Sequence, residues 1–253
     1  MLKFIGTGSA FNTELGNTSA YVKSNETLLL IDCGESVFAR IKKINLLEDV
    51  KNVYIIITHL HSDHVASLAT LIEYLNIFKG IVPNIILTNE DSNEAQEQAI
   101  SSFLSLQGIE EGEYEFTYAD MLEGVITDLV KVELIEVKHF ERLTSYAIEL
   151  YFKDKTIYYT GDIIDKSYLK SVAKKLNAND MVYTDCTNKE YKGRVHISIK
   201  ELQDIFDEKK RAQVTTMHFD SFQCINEAKD AGFMVAKREE SLEDILNSIK
   251  DRK

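Results

Sequence analysis

The sequence is poor in the residues that staple or interrupt a fold. It has three cysteines, Cys33, Cys186 and Cys224, an odd number at wide spacing, which suggests neither a disulfide framework nor a zinc ribbon. Each reads as a small, partly buried hydrophobe, and free thiols fit a reducing compartment. There is one proline, Pro83, and no low-complexity linker divides the chain. Long apolar runs are missing too. Stretches such as Val53–Ile57 are far too short to cross a bilayer, and the opening MLKFIGTGSAF has no charged region leading into a long apolar one. Neither a membrane span nor a signal peptide is expected, so the expected location is the cytoplasm (a host's cytoplasm if the chain is phage-encoded). Bases are outnumbered, 29 Lys+Arg against 41 Asp+Glu, for a net charge of −12. A protein that grips a long polyanion usually offers a basic surface, so no large nucleic-acid partner is expected. A small nucleotide is compatible with the charge, because metals can make a local site cationic on an acidic chain.

What remains is an ordinary globular balance, 44% hydrophobic and 28% charged over 253 residues, enough to bury a core unaided. Strands are expected at Leu2–Ile5, Ala20–Lys23, Thr27–Asp32, Val53–Thr58, Ile85–Leu87 and, within the irregular Gln107–Gly124 segment, near Tyr114–Tyr118. Further strands are expected at Lys131–Lys138, Ser145–Phe152, Thr156–Thr160, Asp180–Thr184, Val214–His218 and Phe233–Lys237. Helices are expected at Val65–Phe78, Ser92–Leu106, Asp165–Leu176, Ser198–Glu208, Ser221–Ala231 and Ser241–Ile249, several opening on a capping Ser or Asp. Two βα-rich halves without a linker suggest one domain over residues 1–253, with two sheets face to face and helices outside.

The chemistry is concentrated in Thr58-His59-Leu60-His61-Ser62-Asp63-His64. Three histidines and an aspartate fall within six positions, between an apolar strand and a helix, a rigid place from which side chains converge. Imidazole nitrogen and carboxylate oxygen suit zinc, manganese or iron. Of the remaining histidines, His139 and His218 follow or end strands, and Asp162 ends another in Thr160-Gly161-Asp162. Ligands at the ends of separate strands are what a site at one edge of a sandwich requires.

The HxHxDH cluster, a later His, a Gly-Asp pair and a final His together resemble the metallo-β-lactamase superfamily, in order and spacing over nearly the whole chain. Gly6–Ala10 and Ile31–Glu35 resemble that superfamily's opening strands. The resemblance implies an α/β fold, a four-layer αββα sandwich, with two divalent metal ions at one edge, Zn2+ or Mn2+. It places His59, His61 and His139 on one ion, Asp63, His64 and His218 on the other, and Asp162 as the bridge. Class B β-lactamases lack an equivalent bridging aspartate, which counts against antibiotic hydrolysis. Paired ions share a water and lower its pKa. Asp63 would also orient that water, and Asp32 is a candidate partner for a ligand histidine.

Asp185, at a strand end, and His196, in Arg194-Val195-His196-Ile197-Ser198, resemble the carboxylate–histidine pair of the phosphodiesterase branch that includes tRNase Z, a pair that supplies a proton to the leaving oxygen. That enzyme typically has glutamate where Asp185 stands. It also carries a long basic arm, whereas only one strand pair separates His139 from Asp162 here. The compact length and the GTGSAFNTELGNTS opening resemble the phage anti-Pycsar cyclic-nucleotide phosphodiesterases. That resemblance implies hydrolysis of 3′,5′-cyclic nucleotides to nucleoside 5′-monophosphates, against a bacterial anti-phage signal. A tRNase Z-like 3′-processing endonuclease and a non-catalytic nucleotide-binding sponge are the alternatives. In the opening loop, Gly6, Gly8 and Gly16 permit close backbone approach, and Thr7, Ser9, Asn17 and Thr18 offer hydrogen bonds to a phosphate or base. A homodimer is expected, with Gln107–Gly124 of one chain near its partner's active site and Ile109, Tyr114, Phe116 and Tyr118 as contacts.

Overall fold

In β3 (Thr27–Ile31), Leu28 and Leu30 face one way and Leu29 and Ile31 the other, and all four are buried. A strand apolar on both faces lies between two layers, and that is its place here. The computed structural model describes residues 1–88 and 94–240.

The first sheet runs in sequence order, β1 (Lys3–Gly6), β2 (Ser19–Ser24), β3, β4 (Asn52–Ile56), β5 (Asn84–Leu87) and β6 (Glu115–Tyr118). β1, β2 and β3 pair antiparallel, and β3 to β6 pair parallel. The second sheet joins β7 (Leu129–Val137), β8 (Ser145–Phe152), β9 (Thr156–Tyr159), β10 (Met181–Asp185), β11 (Val214–Met217) and β12 (Met234–Val235). β7, β8 and β9 are antiparallel and β9 to β12 parallel.

The sheets share a core in which Leu29, Ile31 and Ile56 meet Ile148, Leu150 and Tyr159. Outside the first sheet lie α1 (Val37–Lys43), α3 (Leu68–Tyr74) and α4 (Glu94–Ser105); outside the second lie α5 (Lys166–Lys175), α6 (Ile199–Ile205) and α8 (Phe222–Asp230). This is the four-layer αββα sandwich. Among the described residues, no helix is long and apolar enough to cross a membrane.

Several boundaries differ from the sequence expectation. The helix expected over Val65–Phe78 is three pieces: α2 (Ser62–Val65), α3, and a π-helical turn at Leu75–Lys79. The first break comes at Ser67, whose backbone N–H and hydroxyl donate to the carbonyls of Cys33 and Gly34. The helix expected over Ser198–Glu208 ends at Ile205, and Asp207 caps a separate turn, α7 (Glu208–Arg211). Asp165 and Ser198 cap helices as expected, Ser198 in a complete capping box with Glu201, and Ser221 also caps α8. The expected Ser92 cap and the Ser241–Ile249 helix lie outside the described residues. The three cysteines are free and buried.

Candidate metal centre

The parallel strands deliver their carboxyl ends to one edge, and that edge collects the polar side chains. Asp32 follows β3, His59 to His64 follow β4, and His139 follows β7. Asp162 follows β9, Asp185 ends β10 and His218 follows β11. The turn holding His59–His64 is locked against the loop after β3. A Cβ on Gly34 would stand 1.9 Å from the Asp63 carbonyl oxygen, so only glycine lets the two backbones pass. Asp32 and His218 both occupy the left-handed region, φ 64° and 60°, a cost that a non-glycine residue bears where its surroundings fix it.

Hydrogen bonds set the imidazole tautomers. Thr58 donates its backbone N–H and hydroxyl to Asp32, at 2.8 and 2.9 Å, leaving that hydroxyl to accept from His59 Nδ1 at 3.0 Å. His64 Nδ1 donates to Asp32 Oδ2 at 2.8 Å, and His139 Nδ1 to the Val195 carbonyl at 3.0 Å. The Nε2 atoms of His59 and His139 therefore carry lone pairs, and the Nε2 atoms of all three rings converge on the edge. Asp32 is thus the partner of a histidine, as the sequence suggested. Thr58, which links that carboxylate to a second histidine, was not singled out, although it directly precedes the cluster.

Three overlapping groups of possible ligands result, and two of them include the His59–His64 turn. His61 Nδ1 is 3.0 Å from His59 Nε2 and 3.3 Å from His139 Nε2. His218 Nε2 is 3.2 Å and His64 Nε2 3.4 Å from Asp63 Oδ2. Asp162 serves both. Its Oδ2 faces His59 and His139 at 3.8 and 3.7 Å, and its Oδ1 faces His64 and His218 at 3.4 and 3.3 Å. Tetrahedral ligands about 2.0–2.1 Å from a zinc-sized ion stand roughly 3.3 Å from each other, so these separations are those of ligand atoms around a cation.

The electrostatics fit the same reading. Burial lowers the pKa of His59 and of His61, and it lowers His139 to about 4, which favours the neutral form that ligands need. Burial also opposes charge on His64, but Asp162 and Asp32 outweigh it and hold its pKa high: two carboxylates converge on one ring, a surplus that a cation would neutralise. His64 Nε2 and Asp162 Oδ1 are buried with no hydrogen-bond partner among the described residues, an expensive arrangement unless a ligand takes them up. The donor set is that of a centre for divalent metal ions.

Beside it, His196 Nδ1 lies 2.7 Å from Asp185 Oδ2 and 3.8 Å from Asp162 Oδ2. Burial disfavours the imidazolium, but these carboxylates raise His196 to about 9. The Ile163 backbone N–H donates to Asp185 Oδ2 at 3.2 Å and steadies it. The shorter aspartate arm therefore does reach the histidine.

A family model, Anti-Pycsar protein Apyc1, matches residues 1–241. The chain belongs to that family. A member from Bacillus phage 010DV004 is 28% identical over 237 residues, covering 86% of this chain and 88% of its own. One from Saccharibacillus brassicae is 24% identical over 223 residues, covering 86% and 89%. Among solved structures, the metallo-β-lactamase fold protein YhfI from Bacillus subtilis superposes with a TM-score of 0.67 at 14% identity, covering 95% and 96%. Zn(2+)-bound PqqB from Methylobacterium extorquens gives 0.67 at 14%, covering 95% and 99%, and the short form of human tRNase Z gives 0.63 at 17%, covering 95% and 97%. At such identities these likenesses establish the metallo-β-lactamase fold.

The opening loop is used differently from the sequence expectation. A Cβ on Gly6 would stand 2.3 Å from the Asn17 carbonyl oxygen, so the close approach is to the loop's own backbone. Asn17 Oδ1 accepts from the Ser36 N–H and hydroxyl, and the Thr18 hydroxyl donates to the Gly8 carbonyl. These two side chains hold the loop closed. In Gln107–Gly124, Ile109 and Tyr114 are buried in this chain's own core, and Phe116 and Tyr118 pack against it. Those side chains are committed at home, which removes the aromatic argument for a reach into a partner's site.

Proposed function

We propose that this chain is a metal-dependent phosphodiesterase that hydrolyses 3′,5′-cyclic nucleotides to nucleoside 5′-monophosphates and so counteracts a bacterial anti-phage signal. The observation that carries the reading is Asp162, one carboxylate dividing its two oxygens between two donor groups, with the His196–Asp185 pair alongside. We read residues 1–253 as one hydrolase domain, since both halves build the core between the sheets.

We assign His59, His61 and His139 to one divalent ion, Asp63, His64 and His218 to a second, and Asp162 to both, with Zn2+ or Mn2+ as the metal. Bound there, two ions would neutralise phosphate charge and acidify water. The chain supplies the rest. Asp63 orients the attacking water. His196 has Nδ1 engaged by Asp185, so the proton it gives is the one on Nε2, and it goes to O3′ as the P–O3′ bond breaks. The hydroxyl from water stays on phosphorus, giving the 5′-monophosphate. A cytoplasmic homodimer is part of this proposal, and light scattering at micromolar concentration tests it.

A tRNase Z-like endonuclease is the second reading, favoured by the His196–Asp185 pair. Against it, β8 and β9 alone fill the chain between His139 and Asp162, and the net charge is −12. A sponge would need neither the donor groups nor the proton donor. The deciding experiment is turnover of a panel of 3′,5′-cyclic mononucleotides, cyclic dinucleotides and precursor tRNA. Release of 5′-monophosphates is expected; efficient cleavage of precursor tRNA alone would install the second reading, and binding without turnover the third.

A further inference from the structure

A cavity of about 230 Å³ lies between the His59 turn, α4 and the loop leading into β8. Ligands of parallel α/β sheets bind beyond the carboxyl ends of the strands, and Thr58 and His59, just past β4, line this cavity. His59 is shared: its Nε2 faces the metal-binding edge, and the same residue walls the cavity. Ile57, Leu60, Ile100 and Leu143 make much of the lining apolar, and Tyr146 adds an aromatic ring. The volume falls below the roughly 300–1,000 Å³ of pockets that enclose a whole drug-sized ligand, so it suits one ring system.

One side chain in this wall is only half used. Gln96, on α4, is 9% exposed and lines the cavity. Its orientation is set, because the Thr88 backbone N–H donates to its Oε1 at 2.8 Å. Its Nε2 is thereby a donor, and among the described residues that buried nitrogen has no hydrogen-bond partner. A buried donor left unmade is costly and is the kind of group a ligand satisfies. Arg142, exposed, stands at the rim.

We propose that this cavity receives the base of the cyclic nucleotide, with Gln96 Nε2 donating to a ring nitrogen or carbonyl oxygen; the proposal rests on the phosphodiesterase reading. An apolar slot with one amide donor accepts any planar heterocycle that carries an acceptor. Adenine, guanine, cytosine and uracil all do. The site therefore holds a base firmly without choosing strictly among the four. Gln96 is a positioning residue for the substrate and takes no part in bond breaking.

The test compares 3′,5′-cyclic AMP and cyclic UMP with the abasic analogue 1-O-methylribofuranose 3′,5′-cyclic phosphate, on metal-loaded enzyme. Gln96→Leu removes the donor, Gln96→Glu removes it while keeping an acceptor for the Thr88 N–H, and Ala99→Phe adds a ring at the rim. The Gln96 variants are expected to raise KM for both nucleotides about 5- to 10-fold, the scale of one hydrogen bond, and Ala99→Phe to raise it by filling the slot, all with kcat unchanged. Turnover of the abasic analogue should not move, and thermal melting identifies any variant that fails to fold. Unchanged nucleotide KM in the folded variants, or equal losses on the abasic analogue, overturns the base site while wild-type turnover of cyclic AMP or cyclic UMP leaves the phosphodiesterase reading standing. A wild-type enzyme that turns over neither nucleotide overturns both.

Discussion

Of the carboxylates almost sealed from solvent, Glu149 at 2% and Asp162 at 3% exposed have neighbourhoods that treat them in opposite ways. Glu149, on β8 under α5, accepts from the hydroxyls of Tyr151 and Tyr168 at 2.5 and 3.1 Å, and from Lys175 Nζ at 2.8 Å. Its charge is matched and its lone pairs are used. Asp162 is surrounded by imidazoles, and among the described residues one of its oxygens has no hydrogen-bond partner. A buried carboxylate with a complete set of donors is part of the framework. One whose oxygens face a ring of converging imidazole nitrogens has the place of a vertex around a cation.

The largest effect expected from that contrast is at Asp162. Asp162→Ala should reduce turnover to background and lower metal content, because one carboxylate serves both donor groups. Elemental analysis after dialysis checks it; a fully active mutant with the wild-type metal content would dissolve the distinction drawn between the two carboxylates.

His196→Ala comes next. It removes no member of either donor group, so metal content should hold while kcat falls about 100- to 10,000-fold on a cyclic nucleotide. The defect should shrink on bis(p-nitrophenyl) phosphate, whose leaving group hardly needs a proton. An equal loss on both substrates would move His196 out of the proton-donor role and into support of the site.

Asp32→Asn probes the layer behind the ligands. Asparagine tolerates the left-handed backbone at this position and keeps an acceptor, but it loses the charge that holds His64 and, through Thr58, His59. Metal affinity should weaken about 10- to 100-fold, read by competition with a chelator, with a smaller change in kcat at saturating metal.

How legible each region was follows from where its partners sit in the chain. The candidate ligands His59, His61, Asp63 and His64 lie within six positions of sequence, and His139, Asp162 and His218 each follow an apolar strand, so their convergence at one edge was readable from type and position together. The Ser67 break was not readable, because the apolar face of Val65–Leu75 continues through it; carbonyls of Cys33 and Gly34, more than thirty residues away, interrupt the helix. α1, seven residues long, was too short for periodicity to show. The seat of Gln96 depends on Thr88 and on a loop some fifty residues later, and no local pattern marks it. Glu149 is the instructive case. Within Ser145–Phe152 it reads as an ordinary polar position of a strand, and only the packing of α5, bringing Tyr168 and Lys175 over it, makes it buried.

Glu149→Gln therefore supplies the opposite arm of the comparison and the smallest effect on function. The amide still fits and still accepts from a tyrosine hydroxyl, but Lys175 loses its counter-charge. Lys175 is 44% exposed and can turn to water, so the loss is less than for a fully enclosed pair. Stability should fall by about 1–3 kcal/mol in urea titration, with the slope unchanged. Tyr151 and Tyr168, whose hydroxyls burial and Glu149 together hold above the usual phenol range, should move back toward it. Metal content and kcat should match wild type, because among the described residues no bond from Glu149 reaches the metal-binding edge. A loss of bound metal in Glu149→Gln would show that β8 transmits strain to the turn at His139, and the two buried carboxylates would then belong to one connected unit.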